Sequence, residues 1–415
     1  MTPEIKQRIE QIRRGEVPER YVKTALGLAP ANWKRYTFGD IYTERKEPGD
    51  ENLPLLMVSI HSGVSDGEVD AAELPKQVKR IEDKSQYKKA VSGDLVFNMM
   101  RAWQGAIGTV RTTGMVSPAY IVAEPNDKAY PLFMDYYSRT PQMINQIDRQ
   151  SYGVTDFRKR LYWDSFAPIS CALPPIEEQQ KIAAILTTQD RVIELKEKCL
   201  AEKQRQNQYH MQQLLTGKKR LPGFNGAWKT DCLGKLFFER KETNCENIEM
   251  LAITGTQGII PRKELDLKDN SSEDKSKYLR VCVGDIGYNT MRMWQGVSAY
   301  SNYEGIVSPA YTILKPSSSI NAKYFAYLFK MSEIVFLFYR FSQGLVDDTR
   351  NLKYENFKKI KVCYPPDMKE QAAIAEVLSA ADREIELLQQ DIEQEKQKKK
   401  ALMQLLLTGI VRVKT

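Results

Sequence analysis

Histidine is nearly missing from this chain: His61 and His210 are the only two in 415 residues. That scarcity leaves few ways to build a Ser-His-Asp or Cys-His centre, and it starves a zinc site of ligands. The six cysteines, Cys171, Cys199, Cys232, Cys245, Cys282 and Cys363, contain no CxxC pair. Such scattered thiols read as reduced and cytoplasmic, not as a disulfide framework or a metal cage. Long apolar runs are also lacking. The best, Ile334–Phe338, is five residues, against the roughly 18 that a membrane helix needs. The opening stretch MTPEIKQRIEQIRR is charged and has no apolar signal-peptide core. Neither GxxxxGK followed by Ser or Thr nor GxGxxG occurs, so nucleotides and dinucleotides have no obvious cradle. Pro174-Pro175 and Pro365-Pro366 fail the Asn/Asp-Pro-Pro-aromatic pattern of amino-methyltransferases, being followed by Ile176 and Asp367. No active site is expected.

What is present is a repeat. WKRYTFGDIYTERKE at Trp33 returns as WKTDCLGKLFFERKE at Trp228, 195 residues later. GDLVFNMMRAWQG (Gly93–Gly105), VSPAY (Val116–Tyr120) and SYGVTDFRKRL (Ser151–Leu161) return 191 residues on as GDIGYNTMRMWQG, VSPAY and SQGLVDDTRNL. A nearly constant offset means one unit present twice. Short strand-like runs at Leu55–Ile60, Asp94–Asn98 and Ala119–Val122 alternate with Gly- and Pro-marked turns. Helical stretches are expected near Leu132–Ile147 and Lys323–Tyr339. Pro3–Arg14 reads as a short amphipathic helix ended by Gly15, and Pro18–Pro30 as a linker.

Each globule leads into a long helix after its Pro-Pro pair, which can open a helix but not sit inside one. In the second copy Ile374, Leu378, Ala381, Ile385, Leu388, Ile392, Leu402 and Leu406 step by four and three, broken only at Glu395 and Lys399. This is a coiled-coil seam. In the first copy Ile182, Leu186, Ile193, Leu200 and Leu214 alternate with Gln189, Lys196, Lys203, Asn207 and His210. Such a polar seam predicts a weakly held pair that gains from partner helices. A helix from Ile176 to Thr216 would be about 60 Å long at 1.5 Å per residue. The expected fold is α+β: two similar mixed globules separated by two long helices in an antiparallel coiled coil with a pseudo-twofold. Expected boundaries are a helix and linker (1–29), a first globule (30–172), a spacer helix and joint (173–220), a second globule (221–364) and a closing helix (365–415).

Lys and Arg number 61 against 53 Asp and Glu, a net charge of +8, which favours a polyanionic partner. Asn98, Arg101, Trp103 and Gln104 match Asn289, Arg292, Trp294 and Gln295. Arg, Asn and Gln can pair bidentately with base edges, and Arg also binds phosphate. Equally, these residues could build a structural turn with the Trp in a core. Arg158, Lys159 and Arg160, with Arg350 and Lys353, form a second basic cluster after a Gly turn, either solvated or on phosphate. Base reading would sit more naturally where the copies differ, at Ser59–Lys84, which holds His61, and at Thr254–Lys275, which holds Gln257.

Two globules, each followed by a Pro-Pro-x-x-Glu-Gln-x-x-Ile-Ala-x-Leu type helix ending in LLTG, resemble the specificity subunit of type I restriction-modification enzymes. GDLVFNMMRAWQG, VSPAY, LPPIEEQQKIAAIL and GKKRLPGF carry the likeness, which spans essentially the whole chain. The resemblance implies two target recognition domains, each reading one half of a split double-stranded DNA site. It also implies a helical spacer on which modification (methyltransferase) subunits, two of them, dock, with restriction (endonuclease/translocase) subunits in the full complex. The chain itself would carry no cofactor and no catalysis; S-adenosylmethionine, ATP and Mg would belong to partner subunits. One departure is KEQ at Lys369–Gln371 in place of EEQ, with one extra residue after the second Pro-Pro. A coiled-coil scaffold with protein-binding globules is the alternative, and it would lack a steep salt dependence of DNA binding.

Overall fold

The computed structural model describes the chain except for residues 1–2, 25–26, 51, 61–62, 66–85, 156–157, 246–247, 256–257, 266–274, 347–348 and 414–415. The chain divides into two compact units, Met1–Lys196 with Asp391–Thr415, and Glu197–Gln390.

In unit 1 a four-stranded antiparallel sheet runs in the order Tyr42–Arg45, Tyr120–Pro125, Leu95–Asn98, Ile107–Thr109. Its strands bury alternate and sometimes successive apolar residues: Leu95, Val96 and Phe97 are all at 0% exposure. One face packs on helices Pro131–Tyr137 and Pro141–Arg149 in a core holding Phe38, Phe133, Phe166 and Ile147. Each such side chain, fully removed from water, contributes about 1.5–3 kcal/mol. The other face covers a smaller cluster with Leu56, Val58, Val116 and Val122. The helical stretch is two helices because Thr140 caps a fresh start, accepting from Met143 N at 3.4 Å, with Pro141 next.

Unit 2 repeats this build. Its sheet order is Phe237–Glu239, Tyr311–Pro316, Ile286–Asn289, Ser298–Tyr300, and its helices are Ala322–Leu328 and Ser332–Phe341. Tyr288, Tyr324, Phe325, Phe329, Phe338 and Phe357 fill the core. Mixed strands and helices in two similar globules with long helices are the expected α+β architecture.

The long helices span Ile176–Leu215 and Met368–Leu406. Each begins with a buried glutamine tied back to the first proline: Gln179 Nε2 donates to Pro174 O at 2.9 Å, and Gln371 Nε2 to Pro365 O at 2.8 Å. Each ends at a glycine in the left-handed region, Gly217 (φ 71°) and Gly409 (φ 70°). There Lys219 N reaches Gln213 O and Val411 N reaches Leu405 O, so the last carbonyls find donors. This is why both copies end in LTG. The departure at Lys369 falls on an exposed position, whereas Glu370 and Gln371 occupy the buried places of Glu178 and Gln179.

Within each unit the helical segments run antiparallel. In unit 1 Gln189 meets Glu395, and Lys196 meets Asp391 and Glu395. In unit 2 Lys203 meets Glu384 and Asn207 meets Asp382. The polar positions of the seam answer one another across the pair, and the KQKKK run contributes Lys399 to Asp190 and Lys398 to Glu395. Buried polar pairs of this kind fix register more than they add stability. His210 stands exposed instead of on the seam.

The stretch expected as a linker is also corrected. Tyr21–Thr24 and Gly27–Pro30 form an antiparallel hairpin. Tyr21 Oη donates to Gly409 O at 2.6 Å, and Ala29 packs with Trp33 and Ala172. Burial of one tyrosine and one tryptophan orders a segment whose Pro and Gly content suggested a loose connection.

Candidate nucleic-acid interface

The segment that repeats best, Asn98–Gly105, leaves the sheet at the end of a central strand and turns sharply. Asn98 Oδ1 accepts from Met100 N at 2.9 Å, a local turn mimic. Trp103 Nε1 donates to Met100 O at 3.0 Å, and Gly105 closes the turn at φ 102°. Unit 2 copies each bond: Met291 N to Asn289 at 2.9 Å, Trp294 Nε1 to Met291 O at 2.9 Å, and Gly296 at φ 78°. The asparagine Oδ1 and the tryptophan Nε1 are thus spent inside the turn in both units. What the turn presents outward is Arg101 with Gln104, and Arg292 with Gln295, all exposed. Arg292 Nη1 reaches Gln295 Oε1 at 3.4 Å. In unit 1 burial pushes the Tyr120 hydroxyl up, opposed by its bond with Asn98 and the charge of Arg101.

The second basic cluster lands beside the turn. Tyr152 and Arg160 bridge as antiparallel partners, and Leu161 N donates to Met99 O at 2.8 Å, fastening the glycine loop to the turn. In unit 2 Gln343 bridges Asn351, and Leu352 N donates to Thr290 O at 2.8 Å. Lys159 caps the Trp103 ring at 4.9 Å and pairs with Asp148 at 2.7 Å. Arg350 lies 4.1 Å from the Tyr339 ring centroid, and Tyr339 meets Trp294 edge-on at 6.2 Å. Cation–π stacking holds both loops down. Arg160 turns back to Lys159 O at 2.9 Å, whereas Arg158 and Lys353 are exposed. Loop conformation depends on Gly153 and Gly344, where a Cβ would come within 2.5 Å of Arg158 backbone and 2.7 Å of Arg350 and Thr349 backbone.

Each unit therefore gathers one compact surface from two distant stretches of chain. Its charged and amide heads point outward from a frame that is already hydrogen-bonded, which suits contact with phosphates and base edges. His61 and Gln257 lie outside the described residues, as do most of Ser59–Lys84 and part of Thr254–Lys275. Among the described residues no group of three His, Cys, Asp or Glu is placed to hold a metal. Nor is any helix among the described residues long and apolar enough to cross a membrane.

Residue-by-residue reading missed a buried pair that steadies this surface from behind. Arg45 Nε donates to Asp94 Oδ2 at 2.8 Å, and Arg240 Nε to Asp285 Oδ2 at 2.8 Å, with both carboxylates 2% exposed. Asp94 and Asp285 also take the amides of Val91 and Cys282, each at 2.8 Å, so they anchor the strand that ends in the turn. The signal was available: Glu-Arg-Lys-Glu and Gly-Asp both recur between the copies.

Comparison with known proteins gives a consistent picture. The family model for the type I restriction modification DNA specificity domain matches residues 72–205 and 234–397, well over half of the chain. A protein of Methanocaldococcus jannaschii described as the MjaX specificity subunit of a type I restriction enzyme is 23% identical over 446 aligned positions, covering 96% of this chain and 98% of that protein. Among solved structures, the S subunit of a type I restriction-modification system from M. genitalium superposes with a TM-score of 0.56 at 12% identity, covering 92% of this chain and 97% of that one. The HsdS subunit from Thermoanaerobacter tengcongensis gives 0.50 at 16% identity, covering 92% and 98%. At these identities the structural likeness speaks for the fold.

Proposed function

This chain belongs to the type I restriction-modification DNA specificity family, and from that premise we propose that each of its two units reads one half of a split double-stranded DNA target. It is the DNA-recognition subunit of a restriction-modification complex and not its catalyst. One observation supports the bipartite reading best: the same turn-plus-loop surface is built twice, with Arg101 and Arg292 exposed at equivalent points. In this reading Arg101, Gln104 and Arg158 contact DNA from unit 1, and Arg292, Gln295 and Lys353 from unit 2. Asn98, Trp103, Lys159, Arg160, Asn289, Trp294 and Arg350 set the shape of those surfaces and border the DNA. His61 and Gln257 belong to the segments that differ between the copies and that would distinguish the two half-sites.

Modification subunits, two per chain, would dock on the helical segments, and restriction subunits would join them. S-adenosylmethionine, ATP and Mg would be bound by those partners. Mapping methylated adenines by single-molecule sequencing, in cells with the chain, without it, and with Arg101→Ala, tests the reading. The expected result is a bipartite methylated motif that vanishes without the chain and is lost or relaxed in one half in the variant. An unchanged motif in cells lacking the chain would overturn it.

A further inference from the structure

The two units differ at one place where a carboxylate has been exchanged for empty space. In unit 1 Asp135 lies buried between the edge strand and helix Pro131–Tyr137. It accepts from Thr109 N at 2.9 Å and from Arg139 Nη2 at 3.1 Å, with Arg111 Nη2 at 3.8 Å. Gly108 makes room for it: a Cβ there would stand 2.9 Å from Asp135 Oδ1. At the matching positions 191 residues on, Asp135 is replaced by Ala326 and Gly108 by Ala299. The basic position is kept, as Lys330 for Arg139, and a second is added, as Lys323 for Leu132. The carboxylate and the glycine that admits it have gone together, and with them Arg111, now Asn302, whereas one cation is kept and another gained.

A cavity of about 760 Å³ opens there, within unit 2, a size that suits a small-molecule ligand or an inserted side chain. Ser298 lines it at 1% exposure, and its hydroxyl has no hydrogen-bond partner among the described residues. Buried hydroxyls are nearly always satisfied, so an unanswered one marks a missing partner. Lys330 and Lys323 stand exposed at the cavity, the first donating to Gly296 O at 2.8 Å, the second over the Tyr300 ring at 5.3 Å. The Tyr300 amide, by strand alternation, points the way that Thr109 N does in unit 1. The opposite wall carries Arg383, Asp382 and Glu386. Asp382 is already committed to Asn207 Nδ2 at 2.8 Å and Tyr327 Oη at 2.6 Å. Among the described residues, three cations and two carboxylates thus line the cavity, and one of those carboxylates already accepts two hydrogen bonds.

We propose that this cavity of unit 2 binds a carboxylate supplied from outside the unit, occupying the role that Asp135 plays within unit 1. The carboxylate is held by Lys330 and Lys323, with Ser298 as a further donor, and comes either from a free small acid or from an acidic side chain of a partner protein. Charge-assisted bonds of this type are roughly twice as strong as neutral ones.

The test is calorimetric titration of the full chain with acetate, succinate and glutamate against chloride at equal ionic strength. Saturable binding of at least one acid is expected, weakened at least about tenfold by Lys330→Gln. The double variant Ala299→Gly with Ala326→Asp, which transplants the internal carboxylate, is expected to abolish binding and raise Tm. Equal binding by wild type and both variants would place the anion elsewhere and overturn the proposal. Should the double variant fail to fold, Lys330→Gln and Lys323→Gln decide by the same readout. If no free acid binds, affinity for the modification subunit distinguishes the source. Loss in the double variant assigns the carboxylate to that partner, and unchanged affinity overturns the proposal. Only this last arm rests on the proposed assembly; methylation mapping tests that assembly separately.

Discussion

Arg412 closes on Glu178 through two hydrogen bonds, Nε to Oε1 at 2.7 Å and Nη2 to Oε2 at 2.6 Å. Arg220 closes on Glu370 in the same fork, at 2.6 and 2.7 Å. Both arginines sit just past an LTG helix end, and both glutamates open the opposite helix. In unit 1 the two members are 234 residues apart in sequence. A segment beyond the second long helix therefore completes the unit that holds the first residues of the chain.

Removing Arg412 should leave Glu178, at 1% exposure, charged and unpaired. Breaking a buried pair costs roughly 3–5 kcal/mol, and the partly exposed arginine lowers the expectation for Arg412→Met to about 2–4 kcal/mol. Urea unfolding of wild type, Arg412→Met and the double variant with Glu178→Gln measures it. The double variant should recover part of the loss. A single-variant change below about 0.5 kcal/mol, the usual size for an inert surface site, would contradict the account.

Glu395 should make the helix pair acid-sensitive. Hydrogen bonds from Gln189, Lys196 and Lys398 hold its carboxyl down at about 2. A depressed carboxyl favours the folded state at pH above its ordinary value near 4.5, and that contribution fades as pH falls toward 2. Wild type should therefore lose stability between pH 4.5 and 2.5 more steeply than Glu395→Gln. Parallel pH–stability curves would show that the carboxylate plays no such part.

Arg101→Ala and Arg292→Ala should each flatten the salt dependence of DNA binding by the assembled complex. One phosphate contact accounts for about 0.9 in the slope of log K against log salt. If an arginine reads a base instead, affinity should drop by about 1–3 kcal/mol at the cognate site alone, with the slope kept. A variant that changes neither slope nor cognate affinity would remove that residue from the interface.

Gly344→Ala should distort the unit 2 loop without unfolding the unit. Its φ of 143° and the 2.7 Å approach of the Arg350 and Thr349 backbone forbid a methyl group. DNA affinity is expected to fall at least about tenfold, about 1.4 kcal/mol, with the thermal midpoint nearly unchanged. Gly153→Ala is the matching change in unit 1. Wild-type affinity in both variants would detach the loops from DNA binding.

Much of the candidate surface was legible because duplication served as its own alignment. Asn98, Arg101, Trp103 and Gln104 stood out by returning 191 residues later. What such a repeat cannot separate is frame from contact. Asn98 and Trp103 recur because they close a turn upon themselves, Arg101 because it is held out from that turn, and the strings of letters look alike. The joining of Leu161 to Met99, which brings the two basic clusters into one surface, was not legible either, since a backbone hydrogen bond between loops leaves no pattern in side-chain identity.

By itself the amino-acid sequence determined the two-unit plan, the long helices and their stops, because those follow from local rules. Apolar spacing sets a helical stripe, proline opens a helix, and a left-handed glycine ends it. Only the tertiary structure decided that polar seam residues such as Gln189 and Lys196 find Glu395, that Arg412 serves Glu178, and that Ala326 leaves room where Asp135 fills it. Those outcomes depend on which distant groups meet in low dielectric. There a charge is tolerated only when another stands within bonding distance, and sequence separation says nothing of that distance.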